Sequence, residues 1–137
     1  MSIPHRILLA DDDREVRLGV EELLQGLGLE ILHAETGHEA IEVVRSAEVH
    51  AALLDMHMPG CTGVEALPLL FRERADLRCI VYSGRWSETL ERTVLEAGGL
   101  ACLKKPVEPN VLRREIRRAL RLPLDGPGSP GSEGAWN

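Results

Sequence analysis

Five short apolar runs, separated by longer segments with helical periodicity, constrain the fold of this chain more than any other feature. They lie at residues 7–10, 30–34, 51–54, 79–82 and 100–103, and the second, which contains Glu30 and His33, is the weakest. Runs of this length suit strands that are buried on both faces, and their alternation with helices favours a parallel sheet covered on both sides. The sequence therefore predicts a doubly wound α/β domain.

Helix signals occupy the segments between these runs. In the first segment, apolar residues recur every three or four positions from about Asp13, and two glycines end the helix. In the second, Thr36 and Glu39 have the spacing of a capping box, which begins a helix at Gly37. In the fourth, Ser87 is placed to cap a helix. The apolar residues that predict the first helix are Val16, Val20, Leu23 and Leu27, and the glycines that end it are Gly26 and Gly28.

The third predicted helix contains a proline. Its apolar face carries Val64, Leu67 and Phe71, and Pro68 lies among them. Proline lacks the N–H that a helix interior needs, so the helix is either kinked there or starts late, with Pro68 in its first turns. We favour the late start.

The last predicted helix has an apolar face and ends before Pro123. The residues that follow, LDGPGSPGSEGAWN, are rich in Gly, Pro and Ser and cannot form a core. We therefore expect a folded domain at residues 1–122 and a flexible tail or linker at residues 123–137. The apolar face comprises Val107, Val111, Ile116, Ala119 and Leu120.

Charge and composition argue against several classes of protein. The 137 residues carry a formal charge of -6 at pH 7, whereas nucleic-acid-binding domains need a basic surface, so we expect no direct nucleic-acid contact. Three widely spaced cysteines without a CxxC pair indicate neither a disulfide framework nor a zinc site. No apolar run approaches the length of a membrane span, and the first residues are not typical of a secretory signal. We expect no membrane association and a cytoplasmic location.

Charged or hydroxyl-bearing residues follow directly on four of the five apolar runs. In an open doubly wound sheet the ligand site lies at the carboxyl edge, where the strand ends meet. We therefore expect these side chains to form one small, charged site. They are Asp11 and Asp12 after the first run, Asp55 after the third, Ser83 after the fourth, and Lys104, Lys105 and Pro106 after the fifth.

The three aspartates predict a magnesium site. Carboxylates crowded at one edge repel each other and raise each other's pKa unless a cation is bound. Mg²⁺ is a hard ion that takes oxygen ligands and keeps several waters, and Mn²⁺ can replace it in such a site. One carboxylate could then accept a phosphoryl group as an acyl phosphate, with Lys and Ser side chains to hold the phosphoryl oxygens.

Four segments resemble the receiver domain of bacterial response regulators, over about residues 6–122. ILLADDD resembles the opening strand with its acidic pair, and AALLDMHMPGCTG the phosphoacceptor strand and loop. IVYSG resembles the strand that carries a hydroxyl residue, and CLKKP the lysine–proline turn. The resemblance implies a CheY-like, flavodoxin-like (βα)5 fold with the strand order 2-1-3-4-5.

The resemblance also assigns roles to individual residues. It implies a cis peptide bond before Pro106. It makes Asp13 a supporting or helix-capping carboxylate, and Lys104 a residue that faces solvent. The implied phosphoacceptor is Asp55, the implied metal ligands are Asp11, Asp12, Asp55 and the main-chain carbonyl of His57, and the implied phosphoryl contacts are Ser83 and Lys105.

A receiver domain works as a phosphorylation-dependent switch and not as an enzyme with an external substrate. The resemblance implies that the phosphoryl group comes from a sensor histidine kinase or a phosphotransfer protein and is lost by hydrolysis. Phosphorylation would change the affinity for an unknown output protein through a surface made of helix 4, strand 5 and helix 5. In relatives this surface also forms homodimers.

Some residues depart from the family pattern. Cys102 stands three positions before Lys105, where many relatives carry an aromatic residue that couples the site to the output surface. Tyr82 is a speculative replacement for that ring. We expect Trp86 to be an exposed aromatic beside the switching loop. Two further side chains are expected to border the phosphoryl group, so we expect an altered phosphoryl lifetime. The sequence does not show whether that lifetime is longer or shorter. The two residues are His57 and Arg85.

The sequence leaves other functions open. The chain could be a phosphorelay intermediate or phosphate sink, or the receiver portion of a longer transcriptional regulator. It could also bind partners independently of phosphorylation. A haloacid-dehalogenase-type phosphohydrolase also uses a strand-end Asp with Mg²⁺, but it needs a second Asp where His57 stands. The arginine-rich last helix is either a solvated face or a surface for an acidic partner.

Overall fold

Strands and helices alternate strictly along the residues 4–123 that the computed structural model describes. The predicted tail, apart from Pro123, lies outside these described residues. The elements are β1 Arg6–Ala10, α1 Arg14–Leu23, β2 Glu30–Ala34, α2 Gly37–Ser46, β3 Ala51–Asp55, α3 Gly63–Glu73, β4 Arg78–Ser83, α4 Glu88–Glu96, β5 Ala101–Lys104 and α5 Pro109–Leu120.

The five strands form one parallel sheet in the order β2-β1-β3-β4-β5. Each strand lies within one or two residues of a predicted apolar run. The doubly wound (βα)5 fold with the strand order 2-1-3-4-5 is confirmed. All five carboxyl ends therefore point to the same edge of the sheet.

The core consists of two hydrophobic clusters, one on each face of the sheet. Because side chains alternate along a strand, Leu8 and Ala10 belong to one cluster and Ile7 and Leu9 to the other. The first cluster, which contains Leu8, includes buried residues of α2, α3 and α4. The second cluster, which contains Ile7, includes buried residues of α1 and α5. Every residue of the central strand β3 is buried.

Side-chain caps begin the helices where the sequence predicts them. Oδ1 of Asp13 accepts hydrogen bonds from the N–H groups of Glu15 and Val16 at 2.9 and 3.3 Å, so Asp13 is the N-cap of α1. Thr36 caps α2 and Ser87 caps α4. A side-chain cap satisfies N–H groups that a helix leaves without an intrahelical partner.

Helix α3 corrects one prediction. It begins at Gly63, directly after Thr62, which forms a complete capping box with Glu65. Pro68 is therefore the sixth residue of the helix, and the predicted late start is wrong. The two capping hydrogen bonds define the start of the helix, and Pro68 cannot donate the backbone hydrogen bond to the Val64 carbonyl.

Two arginines of α5 have structural partners. Nη1 of Arg113 donates to the carbonyl oxygens of Leu23 and Gln25 at 2.9 and 3.0 Å, at the carboxyl end of α1. Nη2 of Arg118 donates to the carbonyl oxygen of Leu100 at 3.1 Å. The basic face of α5 therefore holds neighbouring segments together and is not wholly free for a partner.

Among residues 4–123, the structure contains no helix with both the length and the apolar character needed to cross a membrane.

Candidate functional site

Backbone hydrogen bonds continue the sheet pattern past the strand ends and fix their relative positions. The N–H of Asp11 donates to the carbonyl of Ala34 at 3.0 Å, and the N–H of Met56 donates to the carbonyl of Tyr82 at 2.9 Å. The N–H of Lys105 donates to the carbonyl of Ser83 at 2.9 Å. These bonds bring the predicted site residues to one edge of the sheet.

The three aspartates form a compact cluster at this edge. One carboxylate oxygen from each of Asp11, Asp12 and Asp55 lies within 4.8 Å of the other two. Asp11 and Asp55 are only 1% and 4% exposed, whereas Asp12 is exposed. Three hard oxygen donors at this separation, two of them buried, fit a divalent ion such as Mg²⁺ that keeps some of its waters.

Lys105 bridges the two buried aspartates. Its Nζ lies 2.9 Å from Oδ1 of Asp55 and 3.1 Å from Oδ2 of Asp11. The peptide bond between Lys105 and Pro106 is cis, which confirms that prediction. Lys104 is exposed, as predicted, and its Nζ lies 4.8 Å from the centroid of the Trp86 ring.

Burial and the bridge by Lys105 shift the pKa values of the site in opposite directions. Burial raises the pKa of Asp55, the charge of Asp11 adds to this, and the Lys105 ammonium only partly offsets it. Burial also acts on Asp11, but hydrogen bonds from Tyr82, the Asp13 N–H and Lys105 outweigh it and hold the pKa of Asp11 below its ordinary value. Hydrogen bonds to the two carboxylates overcome burial and raise the pKa of Lys105. Asp11 is therefore the more firmly ionised of the pair.

Ser83 and His57 flank Asp55. Ser83 is completely buried at the end of β4, and its Oγ accepts a hydrogen bond from the N–H of Arg85 at 3.0 Å. The N–H of His57 donates to Oδ1 of Asp55 at 3.3 Å. Ser83 and His57 thus lie at the same edge of the sheet as Asp55, and their phosphoryl and metal contacts stay predictions.

Gly63 brings helix α3 against the end of β3. Its N–H donates to the carbonyl of Met56 at 2.9 Å. A Cβ on Gly63 would lie 2.9 Å from the carbonyl oxygen of Asp55 and 3.2 Å from Cα of Met56, which is closer than such atoms pack. The glycine at the end of MPGCTG therefore supports the position of Asp55, which the sequence signalled only through the motif.

Tyr82 is a part of the site that the sequence reasoning missed. Its ring is buried in the second cluster, and its hydroxyl donates to Oδ2 of Asp11 at 2.5 Å. Cys102 belongs to the first cluster, on the opposite face of the sheet. Tyr82 therefore does not replace the aromatic residue that relatives carry at the position of Cys102. The signal was present, because a tyrosine inside an apolar strand needs a partner for its hydroxyl.

Trp86 corrects another prediction. It is partly buried and packs against the first cluster, and its Nε1–H donates to the carbonyl oxygen of Cys102 at 3.2 Å. Lys104 covers the ring. Trp86, which was expected to be exposed, thus lies against the backbone of Cys102, the position at which many relatives carry an aromatic residue.

Arg17 also supports the site. It is 5% exposed, and its guanidinium donates to the carbonyl oxygen of Asp11 and, through Nε, to Nδ1 of His33 at 3.1 Å. Nε2 of His33 lies 2.7 Å from the Glu21 carboxylate. A sequence signal existed, since Arg17 is three residues before Val20 on the inward face of α1.

A family model, described as the response regulator receiver domain, matches residues 7–117. The chain belongs to the response-regulator receiver family. The matched residues include every strand-end residue described above, among them Asp55 at the end of β3.

Relatives and solved structures agree with this assignment. The receiver is 32% identical over 113 residues to the response regulator UvrY of Escherichia coli, covering 81% of this chain and 52% of that protein. It is 34% identical over 130 residues to the response regulator MprA of a Mycobacterium species, covering 93% of this chain and 56% of that protein. The chain thus spans about half the length of these curated relatives.

The fold is similar to that of a solved CheY-like receiver domain protein from Methanospirillum hungatei. The two share 28% sequence identity and a TM-score of 0.80, over 87% of this chain and 95% of the other. The fold of this chain therefore matches nearly the whole length of that receiver domain protein.

Proposed function

We propose that this chain is a phosphorylation switch that accepts a phosphoryl group on Asp55. The observation that carries the proposal is the bridge of Lys105 between the buried carboxylates of Asp55 and Asp11, with Asp12 beside them. Family membership and the action of UvrY and MprA as response regulators support it. Transfer from a phosphodonor and loss by hydrolysis would be its only chemistry, so the chain would not turn over an external substrate.

The chemistry follows from the contacts of Asp55. A carboxylate oxygen of Asp55 attacks the phosphorus atom, and the bond from phosphorus to the donor's leaving atom breaks, with its electron pair kept by the leaving group. Lys105 and Ser83 then bind the phosphoryl oxygens. Asp11, Asp12, Asp55 and the carbonyl of His57 would hold Mg²⁺, which neutralises charge that develops on the transferred group.

The described contacts suggest how the site connects to the surface of α4, β5 and α5. Oγ of Ser83 accepts from the Arg85 N–H, which leaves its O–H able to donate to a phosphoryl oxygen, and a reorientation of Ser83 toward that oxygen would carry the loop with it. Trp86 follows in the same loop and is tied to the Cys102 carbonyl. Movement of this loop would change the packing of Trp86 and Lys104, and with it the affinity for an output protein or a second copy.

The partner on the donor side would be a sensor histidine kinase or a phosphotransfer protein in the cytoplasm. Because the curated relatives are about twice as long as the matched part, a receiver portion of a longer transcriptional regulator is a second candidate. A third relative, ExaE of Pseudomonas putida, which is 34% identical over 116 residues, is named as a transcriptional activator protein. A phosphorelay intermediate or phosphate sink would use the same site without an output surface.

The decisive experiment is intact mass spectrometry after incubation with acetyl phosphate and Mg²⁺. We expect one phosphoryl adduct that requires Mg²⁺ and is absent from the Asp55→Asn variant. An established receiver domain treated in parallel shows that the donor is active. If that control is labelled and this chain is not, Asp55 is not a phosphoacceptor, and binding independent of phosphorylation becomes the better account.

A further inference from the structure

Tyr82 places a hydroxyl group under the acidic cluster. Its side chain is 1% exposed, lies among the apolar residues of the second cluster, and reaches the carboxyl edge of the sheet. A buried hydroxyl needs a hydrogen-bond partner, and the partner of Tyr82 is Oδ2 of Asp11 at 2.5 Å. This distance is typical of a hydrogen bond from a neutral hydroxyl to an ionised carboxylate.

The contacts of Asp11 leave little freedom for its carboxylate. Among residues 4–123, three donors reach it: the Asp13 N–H reaches Oδ1 at 2.8 Å, and Tyr82 and Lys105 reach Oδ2. A carboxylate offers about four lone-pair directions. With two donors on Oδ2 and one on Oδ1, the remaining lone pair is on Oδ1, which is thus the oxygen available to a metal ion.

The two donors on Oδ2 differ in what they can do. Lys105 also bonds to Asp55 and, in the proposed function, turns to the phosphoryl group. Tyr82 has a large, rigid ring held by the second cluster, and among residues 4–123 its hydroxyl has no second acceptor in the site. Of the two donors on Oδ2, Tyr82 is therefore the one that stays on Asp11 when Lys105 is engaged elsewhere, while the Asp13 N–H continues to hold Oδ1.

We propose that Tyr82 is a positioning residue for the metal site, which holds the Asp11 carboxylate so that Oδ1 faces the ion. The proposal rests on the proposed function, because it assigns a supporting partner to one of its metal ligands. Hydrogen-bonding partners of ligating groups orient them, and their loss typically lowers metal affinity by about 10–100-fold. A neutral hydroxyl leaves the full negative charge on Asp11, so orientation is gained without cancelling the attraction for the ion.

The substitution Tyr82→Phe removes the hydroxyl and keeps the ring. We expect Mn²⁺ binding, followed by electron paramagnetic resonance of the free ion, to weaken by about tenfold. The Mg²⁺ concentration that half-saturates labelling by acetyl phosphate should rise by a similar factor. The labelling rate at saturating Mg²⁺ should stay within about twofold, since Tyr82 does not contact the reacting atoms.

Two further variants separate positioning from a loss of packing. Ile116→Val trims a completely buried residue of the same cluster whose side chain has no polar group to offer the site, and its metal affinity should equal that of the unmodified chain. In an Asp11→Asn background, adding Tyr82→Phe should weaken Mn²⁺ binding no further, because the ionised partner is gone.

The outcomes distinguish the two proposals. If the unmodified chain binds Mn²⁺ tightly and Tyr82→Phe binds it with the same affinity, the role of Tyr82 alone is overturned. A comparable loss of affinity in Ile116→Val overturns it as well, because packing would then explain the effect. No Mn²⁺ binding by the unmodified, folded chain overturns the metal site of the proposed function itself, and the role of Tyr82 with it.

Discussion

The carbonyl oxygen of Asp55 lies 2.9 Å from the point that a Cβ on Gly63 would occupy. Gly63→Ala should therefore push β3 and α3 apart. Substitutions that overfill a packed region typically cost about 1–3 kcal/mol, and we expect a loss of free energy of unfolding in that range. The same displacement should slow labelling of Asp55 by acetyl phosphate. Urea unfolding and intact mass measure the two effects.

Gly19→Ala is the matched control for that change. Gly19 lies inside α1, and no heavy atom lies within 4 Å of its hypothetical Cβ. Glycine in a helix interior costs about 0.5–1 kcal/mol relative to alanine, so this variant should be more stable than the unmodified chain. Similar behaviour of the two variants would contradict the close contact between Gly63 and Asp55.

The charge of Asp55 should lower the stability of the metal-free protein. Burial and the neighbouring Asp11 raise the pKa of Asp55 in the fold. Its ionised form is therefore less favourable in the folded than in the unfolded chain, so at neutral pH the charge costs stability, which returns as the pH falls through the folded-state pKa. Asp55→Asn removes this cost and should raise the free energy of unfolding by about 1 kcal/mol. The measurement is urea unfolding at pH 7 with a chelator present, and a less stable variant would contradict it.

Lys105 should stabilise the metal-free fold by compensating two buried carboxylates. Lys105→Ala leaves Asp11 and Asp55 without their cation, and we expect a loss of about 1–3 kcal/mol in chelator. Added Mg²⁺ should restore part of this loss, because a divalent ion supplies the missing charge. The control is Lys104→Ala, which removes an exposed cation over Trp86 and should cost less than about 1 kcal/mol. Equal losses in thermal unfolding of the two variants would exclude the bridging role.

Much of this architecture could be predicted from local sequence. The apolar runs predicted the strands because buried parallel strands need continuous apolar residues. Thr36 and Ser87 predicted the starts of two helices because capping depends on residues that are neighbours in the sequence. The convergence of Asp11 and Asp55 followed from topology, since parallel strands end at one edge.

The supporting contacts could not be predicted in the same way. A tyrosine in an apolar run signals that its hydroxyl needs a partner, but not that the partner is Asp11, which lies 71 residues away in the sequence. Arg17 has a polar partner in β2, His33, that only the packed structure brings into reach. The start of α3 was predicted wrongly because the prediction rested on Pro68 and did not include the capping box that Thr62 forms with Glu65.

Trp86 should report the conformation of the phosphorylated site. Its Nε1–H donates to the Cys102 carbonyl, and it lies in the loop after Ser83. Reorientation of Ser83 should therefore change the surroundings of the indole ring. In a Trp136→Phe background, Trp86 is the remaining tryptophan of the chain. We expect acetyl phosphate and Mg²⁺ to change its emission, and a Ser83→Ala variant of that background, once labelled, to show a smaller change. An unchanged emission in fully labelled protein would show that Trp86 does not link the site to the α4 and β5 surface.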